Sequence, residues 1–407
     1  MSNGVLEGVK AVEFGHFLLV PTAMAILGDW GADVIKIENF KTGGDPQRFA
    51  AAIEGQPPPD DIKPSLWFHY FNRNKRSIGL DLTTDRGREV LYRLVKEADV
   101  FATNFDPGAV AKLKADYDTL SQINPRIIYC QCTGYGSAGP DADKPGFDYT
   151  AWWARSGMMD RIAEPGAPPR PNRPGMGDNL CSPGIAGAIA AALYCREKTG
   201  QAQKIEMSLY HMAVWGLQYD IGTALHQSVN LNRTDHKTVT NALWNCYRTR
   251  DDKWLMLVMP QTDRYWPSFC RAIDRPEWVD DPRFNSHAKR MTENLALIGA
   301  IEEIIAGRTA ADWELAAREF DLVLGRIQTP MEVACDPQAW ENSFFTEVEY
   351  SPGVRFKVIN SPVNFRNTPA RIRSIGPELG QHTEEILAEL QYGWDEISAM
   401  KAEGAIN

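Results

Sequence analysis

Asp178 lies in the run Pro174-Gly175-Met176-Gly177-Asp178-Asn179, just ahead of a predicted small-residue helix from Ile185 to Tyr194. A carboxylate at such a glycine-flanked turn has two possible uses. As a nucleophile it gains from the glycine, whose backbone lets a substrate carbonyl approach closely. It also gains from the unpaired N–H groups and partial positive charge of the helix start, which favour the ionised form and can receive an oxyanion. As a cap, Asp-Asn ahead of a helix merely satisfies those same amides. Residue types alone leave both uses open. Cys181, three positions on, is a second nucleophilic type, but no neighbouring motif supplies it with a base. The remaining cysteines, Cys130, Cys132, Cys195, Cys246, Cys270 and Cys335, form no CxxC pair and no zinc spacing with histidine, so reduced structural thiols and no metal site are expected.

The elements that would position Asp178 alternate strand with helix. Lys10 to Phe14 reads as a strand, Thr22 to Trp30 as a helix closed by Gly31, and Asp33 to Ile37 as the next strand, together a βαβ unit. Arg86 to Ala98 places Val90, Leu91, Leu94 and Val95 on one helical face and runs into the strand Asp99 to Thr103, and Ile127 to Cys130 follows as another buried strand. The pattern predicts an α/β fold with an open, mainly parallel, Rossmann-like sheet that binds ligands at the carboxyl ends of its strands. A dinucleotide is disfavoured. The first turn reads Gly15-His16-Phe17-Leu18-Leu19-Val20-Pro21, without GxGxxG, although Glu38 stands where an NAD enzyme would hold ribose.

Two proline-rich loops follow, Pro57 to Asp61 and Pro165 to Pro174, the second leading to Asp178. From about Val229 the character changes to a predicted β-hairpin (Asn245 to Thr249, Trp254 to Met259) and amphipathic helices near Ile298 to Ile305 and Ala310 to Phe320. Short strands at Glu347 to Tyr350 and Phe356 to Ile359 and a helix from Thr383 complete the chain. The expected organisation is a large domain over 1–220, a smaller α+β domain over 229–330, and a C-terminal segment, 331–407, returning to the large domain.

A chain of 407 residues with 43% hydrophobic content buries a large core. Its net charge of −10 argues against nonspecific nucleic-acid binding, while a local basic pocket for an anionic ligand stays compatible with it. The longest apolar stretch, Ile185 to Tyr194, is too short to span a bilayer, and the N-terminus lacks a signal-peptide layout, so no membrane contact and a cytoplasmic location are expected.

The blocks Leu6-Glu7-Gly8-Val9-Lys10, Leu27 to Glu38, Asn74-Lys75-Arg76-Ser77-Ile78, Asn104-Phe105 with Pro107-Gly108, Gly134-Tyr135-Gly136, Gly177-Asp178, Lys198-Thr199-Gly200 and Gly380-Gln381-His382-Thr383 run in one order over nearly the whole chain. In that combination the sequence resembles the class III coenzyme A transferases of the CaiB/BaiF type. The resemblance implies a CoA-transferase without a prosthetic group, whose substrates are an acyl-CoA and a carboxylic acid. Asp178 would attack the thioester to give a mixed anhydride and then an aspartyl-CoA, for which an ordinary aspartate is already ionised near neutral pH. Asp148, in Gly146-Phe147-Asp148-Tyr149, matches an acidic position near the family's active site, in a structural or a substrate-contacting role. Carried over segment by segment, Leu18, Leu19, Asn39, Leu80 to Thr83, Asn104, Phe105, Asp106, Lys112 and Lys144 would line the CoA site. An interlocked homodimer is implied as well.

Three departures bear on substrate. Leu18 stands where some members have Gln, no glycine-rich loop lies between Val229 and Met259, and Asn39 replaces a basic residue. The pattern around Asp148 and Asp178 looks most like the branch acting on (R)-phenyllactate or 2-hydroxyisocaproate, with Phe17, Leu18, Trp152, Trp153 and Trp244 available for an apolar pocket. Alpha-methylacyl-CoA racemases resemble this chain nearly as much, but they carry His before the acidic residue, where this chain has Phe147, which cannot transfer a proton.

Overall fold

A computed structural model describes residues 4–49, 65–233, 235–351 and 354–407, so the proline-rich run Pro57 to Asp61 lies outside the described residues. The chain divides into two compact units. The first comprises 4–161, Arg170–Asn230 and Trp340–Asn407, and the second comprises Ile162–Pro169 and Leu231–Ala339.

The first unit is built on alternating elements: β1 (Lys10–Phe14), α1 (Leu19–Asp29), β2 (Asp33–Glu38), α2 (Leu66–Asn72), β3 (Lys75–Gly79), α3 (Asp85–Glu97), β4 (Val100–Thr103), α4 (Pro107–Lys112), α5 (Tyr117–Ile123) and β5 (Ile128–Thr133). There follow α6 (Met158–Arg161), α7 (Met176–Thr199), β6 (Lys204–Ser208), α8 (Leu209–Gly216) and α9 (Gln218–Gln227). Six strands pair in the order β3-β2-β1-β4-β5-β6, every pair parallel. A parallel sheet is covered on both faces, and alternate side chains serve the two. Ala11, Val34, Val100 and Ile128 join the core with α1 and α7, while Val12, Ile35, Phe101 and Tyr129 join the core with α3 and the helices near the C-terminus. The strand order reverses between β1 and β4, which opens a crevice at their carboxyl ends.

Residues 376–407 pack on the edge of this sheet. The Gly79 amide donates to Thr383 Oγ1 at 3.0 Å, the Gly380 amide to Ser77 Oγ at 3.0 Å, and Leu80 bridges Ile406. An antiparallel hairpin, β10 (Phe345–Ser351) with β11 (Val354–Ile359), belongs to the same unit. In the second unit β7 (Cys246–Arg248), β8 (Trp254–Leu257) and β9 (Leu324–Ile327) form an antiparallel sheet over a core of Tyr247, Leu255, Trp266, Phe269, Ile301 and Trp313.

Two expectations need correction. Asp178 does not precede its helix. The helix starts at Met176, so Asp178 stands in its first turn. Gly177, Pro183 and Gly184 have poor helix propensity, but packing of α7 along the apolar α1 overrides that local weakness. The aromatics proposed for a pocket fare differently: Trp152 and Trp153 are core side chains at 6% and 2% exposure, and Trp244 lies half exposed in the second unit.

Candidate active site

The crevice at the switch point is a cavity of about 210 Å³. The turn after β1 contributes His16, Phe17, Leu18 and Leu19, and the end of β4 contributes Asn104, Phe105 and Asp106. The end of β5 adds Thr133 and Gly134, the following loop adds Lys144 to Asp148, and Asp178 comes from the first turn of α7. Eight of the catalytic and CoA-site residues named from sequence therefore meet around one space, Leu18, Leu19, Asn104, Phe105, Asp106, Lys144, Asp148 and Asp178, and Phe17, named for an apolar pocket, joins them.

Asp178 is nearly buried, at 9% exposure. Loss of hydration pushes its carboxyl up to about 7, and the negative charge of Asp148 adds to the shift. An ordinary, fully ionised aspartate is thus not what the fold presents. Asp148 opens a short π-helical segment, Asp148–Arg155. Its Oδ2 accepts the amide of Gly175 at 2.8 Å, and Gly175, at φ 81°, is the residue from which α7 starts. Burial raises the Asp148 carboxyl too, while the amides of Gly175, Gly177 and Asp178 act against that rise. Oδ1 makes no full hydrogen bond among the described residues.

The glycines here are obliged by space. A Cβ on Gly177 would lie 2.2 Å from Asp148 Oδ1 and 2.5 Å from Trp152 Cγ. One on Gly175 would meet Leu18 Cδ2 at 2.4 Å, so Leu18 packs directly over the start of α7. Gly134 and Gly146 cross so closely that a Cβ on either would come within 2.6 Å of the other's Cα, which brings the Lys144 to Asp148 loop down onto β5. Cys181 is 1% exposed and its thiol is pushed up to about 12 by burial and by the carboxyl of Asp178, a poor setting for a thiolate.

Residues 6–383 match the sequence model of CoA-transferase family III. The chain belongs to that family. Family III relatives similar to it include the (R)-2-hydroxy-4-methylpentanoate CoA-transferase of Clostridioides difficile, 34% identical over 98% of both chains. The cinnamoyl-CoA:phenyllactate CoA-transferase of Clostridium sporogenes is 32% identical over 98% of this chain and 97% of its own. A CaiB/BaiF family protein from Brucella suis has a similar solved structure, with a TM-score of 0.82 and 30% identity, covering 96% of this chain and all of its own.

Not every residue carried over from family III reaches the cavity. Asn39 caps a short 3₁₀ turn by accepting from the Lys41 amide at 3.1 Å, and Thr83 Oγ1 donates to Asp81 at 2.6 Å. Lys112 ends α4 in solvent. Leu80 is 1% exposed, its side chain packed in the core. Within the cavity, Asp106 Oδ1 caps α4 through the Ala109 amide, and Lys144 Nζ sits 5.3 Å from the Tyr135 ring centroid. The sequence reading passed over His16, weighing its segment only for missing glycines. Its ring stands edge-on to Phe105 and Phe17 at the cavity wall, and burial lowers its affinity for a proton. Its place directly after a predicted strand, at a switch point, was the signal available.

Among the described residues no group of His, Cys, Asp and Glu is arranged to hold a metal ion, and no helix is long and apolar enough to cross a membrane.

Proposed function

We propose that this protein moves coenzyme A from an acyl-CoA donor to an apolar or aryl 2-hydroxy or enoyl acid, with Asp178 as nucleophile. The observation that carries this is the placement of Asp178, a nearly buried carboxyl in the first turn of α7, on the wall of a crevice also lined by Phe17, Leu18 and Phe147.

A carboxylate Oδ of Asp178 attacks the thioester carbonyl, the C–S bond breaks, and a mixed anhydride and CoA thiolate form. The thiolate attacks the aspartyl carbonyl, releasing the donor acid and leaving an aspartyl-CoA thioester. The acceptor carboxylate attacks that carbonyl and regenerates an anhydride with free thiolate, which takes the acceptor's acyl group and restores the carboxylate. The partial positive charge at the start of α7 is suited to the oxyanions, its amides at Gly175, Gly177 and Asp178 being turned to Asp148, and burial keeps water from the anhydride. For the cofactor portion of the substrate, Asn104, Phe105, Asp106 and Lys144 are the proposed contacts, Lys144 facing phosphate by charge.

A homodimer is part of the proposal. Leu180, Tyr194, Trp215, Tyr219 and Leu225, all on α7 to α9, are 56% to 89% exposed, an apolar display suited to a second copy. Light scattering on the purified protein checks it, with twice the chain mass expected.

Racemase-type proton transfer is the second reading, and one observation favours it: His16 shares the cavity with Asp178, so a second acid/base group is present even though Phe147 is not one. The deciding experiment is a screen of acyl-CoA donors against carboxylate acceptors with mass detection, run beside α-proton exchange in deuterated water. Transfer without exchange is expected.

A further inference from the structure

The turn after β1 is held by side chains in an unusual way. Four consecutive backbone polar groups, Gly15 C=O, His16 N–H, His16 C=O and Phe17 N–H, are each bonded to a side chain from elsewhere in the chain. Lys36 Nζ, from β2, donates to Gly15 O at 2.9 Å. Asn104, just beyond β4, accepts from the His16 amide at 3.0 Å and donates to the His16 carbonyl at 2.9 Å. Asp45 Oδ1 accepts from the Phe17 amide at 3.0 Å, and its Oδ2 pairs with Lys36 at 2.9 Å. Lys36 and Asp45 are shut in, at 0% and 3% exposure, and Lys36 also donates to Glu13 Oε1 at 2.7 Å.

Phe17 is a bulky residue at φ 60°, a left-handed conformation that persists only where its surroundings impose it. The residue it delivers, Leu18, packs over Gly175, from which the helix of Asp178 starts. A chain of contacts thus runs from Asp45 through Phe17 and Leu18 to the nucleophile's helix.

We infer that Asp45, with Lys36 and Asn104, is a positioning residue for CoA transfer: its hydrogen bond to the Phe17 amide holds the strained turn that sets Leu18 against the start of α7. This rests on the assignment of Asp178 above. The alternative is that Asp45 serves only to neutralise Lys36 in the core and to cap its own turn, where Oδ1 also accepts the Gln47 amide at 2.9 Å; exchange at the Phe17 turn separates the two. Asp45→Ala removes the acceptor and the charge, whereas Asp45→Asn removes the charge and keeps an oxygen for Phe17 N–H.

Steady-state transfer should show kcat of Asp45→Ala down by about tenfold or more with acyl-CoA KM changed by less than about threefold, because misplacing a reacting group costs rate. Asp45→Asn, whose Nδ2 must face Lys36 in place of Oδ2, should stand clearly above Asp45→Ala in kcat without reaching the wild type. Hydrogen–deuterium exchange of the peptide spanning Phe14 to Val20 should speed up in Asp45→Ala and stay slow in Asp45→Asn. Equal impairment of the two variants, or unchanged kinetics and exchange in Asp45→Ala, overturns the inference. If the wild-type protein moves no CoA, the functional reading fails by itself, and the exchange experiment still decides whether Asp45 holds the turn. Should Asp45→Ala fold poorly, Asp45→Ser carries the same test, since its side chain stops an atom short of the Phe17 amide, with exchange of the same peptide as readout.

Discussion

Asp148 accepts the Gly175 amide at 2.8 Å, so an acidic side chain sits at the positive end of the helix whose first turn carries Asp178. Two carboxyls therefore share one helix start. The amides of Gly175, Gly177 and Asp178 favour the Asp148 carboxylate, while burial and its neighbour's charge leave Asp178 up at about 7.

That raised value sets a pH dependence. Only the ionised carboxyl attacks, so kcat/KM for acyl-CoA should climb about tenfold per pH unit below about 7 and level off above it. A profile flat from pH 5 to 8 would show that Asp178 titrates normally or is not the nucleophile.

The same shift acts on stability with the opposite benefit. The folded state keeps a proton on Asp178 that the unfolded chain has already released, so between about 4 and about 7 stability falls as pH rises. Replacing Asp178 by Asn removes that penalty, on the order of a few kcal/mol at pH 8, and abolishes transfer. Melting curves at pH 5 and pH 8 check it: the variant should gain on the wild type mainly at pH 8.

Gly177→Ala sets two effects against each other. Alanine is the better helix former by about 1 kcal/mol, but overpacking costs about 1 to 3 kcal/mol, and here the new methyl would meet the Asp148 carboxyl and the Trp152 ring, neither a loose surface tip. Net destabilisation of about 1 kcal/mol or more by urea unfolding is expected, together with lost transfer.

Much of this was legible in the sequence, and the rest was not for identifiable reasons. The strands read from Lys10, Asp33 and Asp99 announced themselves by short apolar runs, and the carboxylate of interest by its glycines. The true start of α7 at Met176 was hidden because packing on α1, not propensity, makes that stretch helical. Some blocks that look functional are structural: Asp29 takes hydrogen bonds from Arg73 and Asn74, both at 2.7 Å, which ties Leu27-Gly28-Asp29 to Asn74-Lys75-Arg76. Lys36 and Asp45 carry no local pattern that links them to the turn after β1, since that relation exists only once β1 and β2 lie side by side.

Under the proposed function, the wall of the cavity sets an expectation for acceptor choice. Leu18 offers no polar group to a small dicarboxylate, and Phe17 and Phe147 meet edge-on beside it, ring centroids 6.0 Å apart. Burying a phenyl group is worth about 2 to 3 kcal/mol, so an aryl 2-hydroxy acid should exceed glycolate in kcat/KM by about 30-fold or more, with oxalate poor. Leu18→Gln should narrow the gap. Equal use of oxalate and phenyllactate would contradict the substrate class while leaving CoA transfer intact.

The central claim is that the acyl group and then CoA become covalently attached to Asp178. Incubating the protein with acyl-CoA alone, trapping with hydroxylamine or borohydride, and mapping peptides by mass spectrometry tests it directly. Modification confined to Asp178, and absent from Asp178→Ala, is the predicted result. Modification at Cys181, or none at any residue in a preparation that transfers CoA, would contradict it.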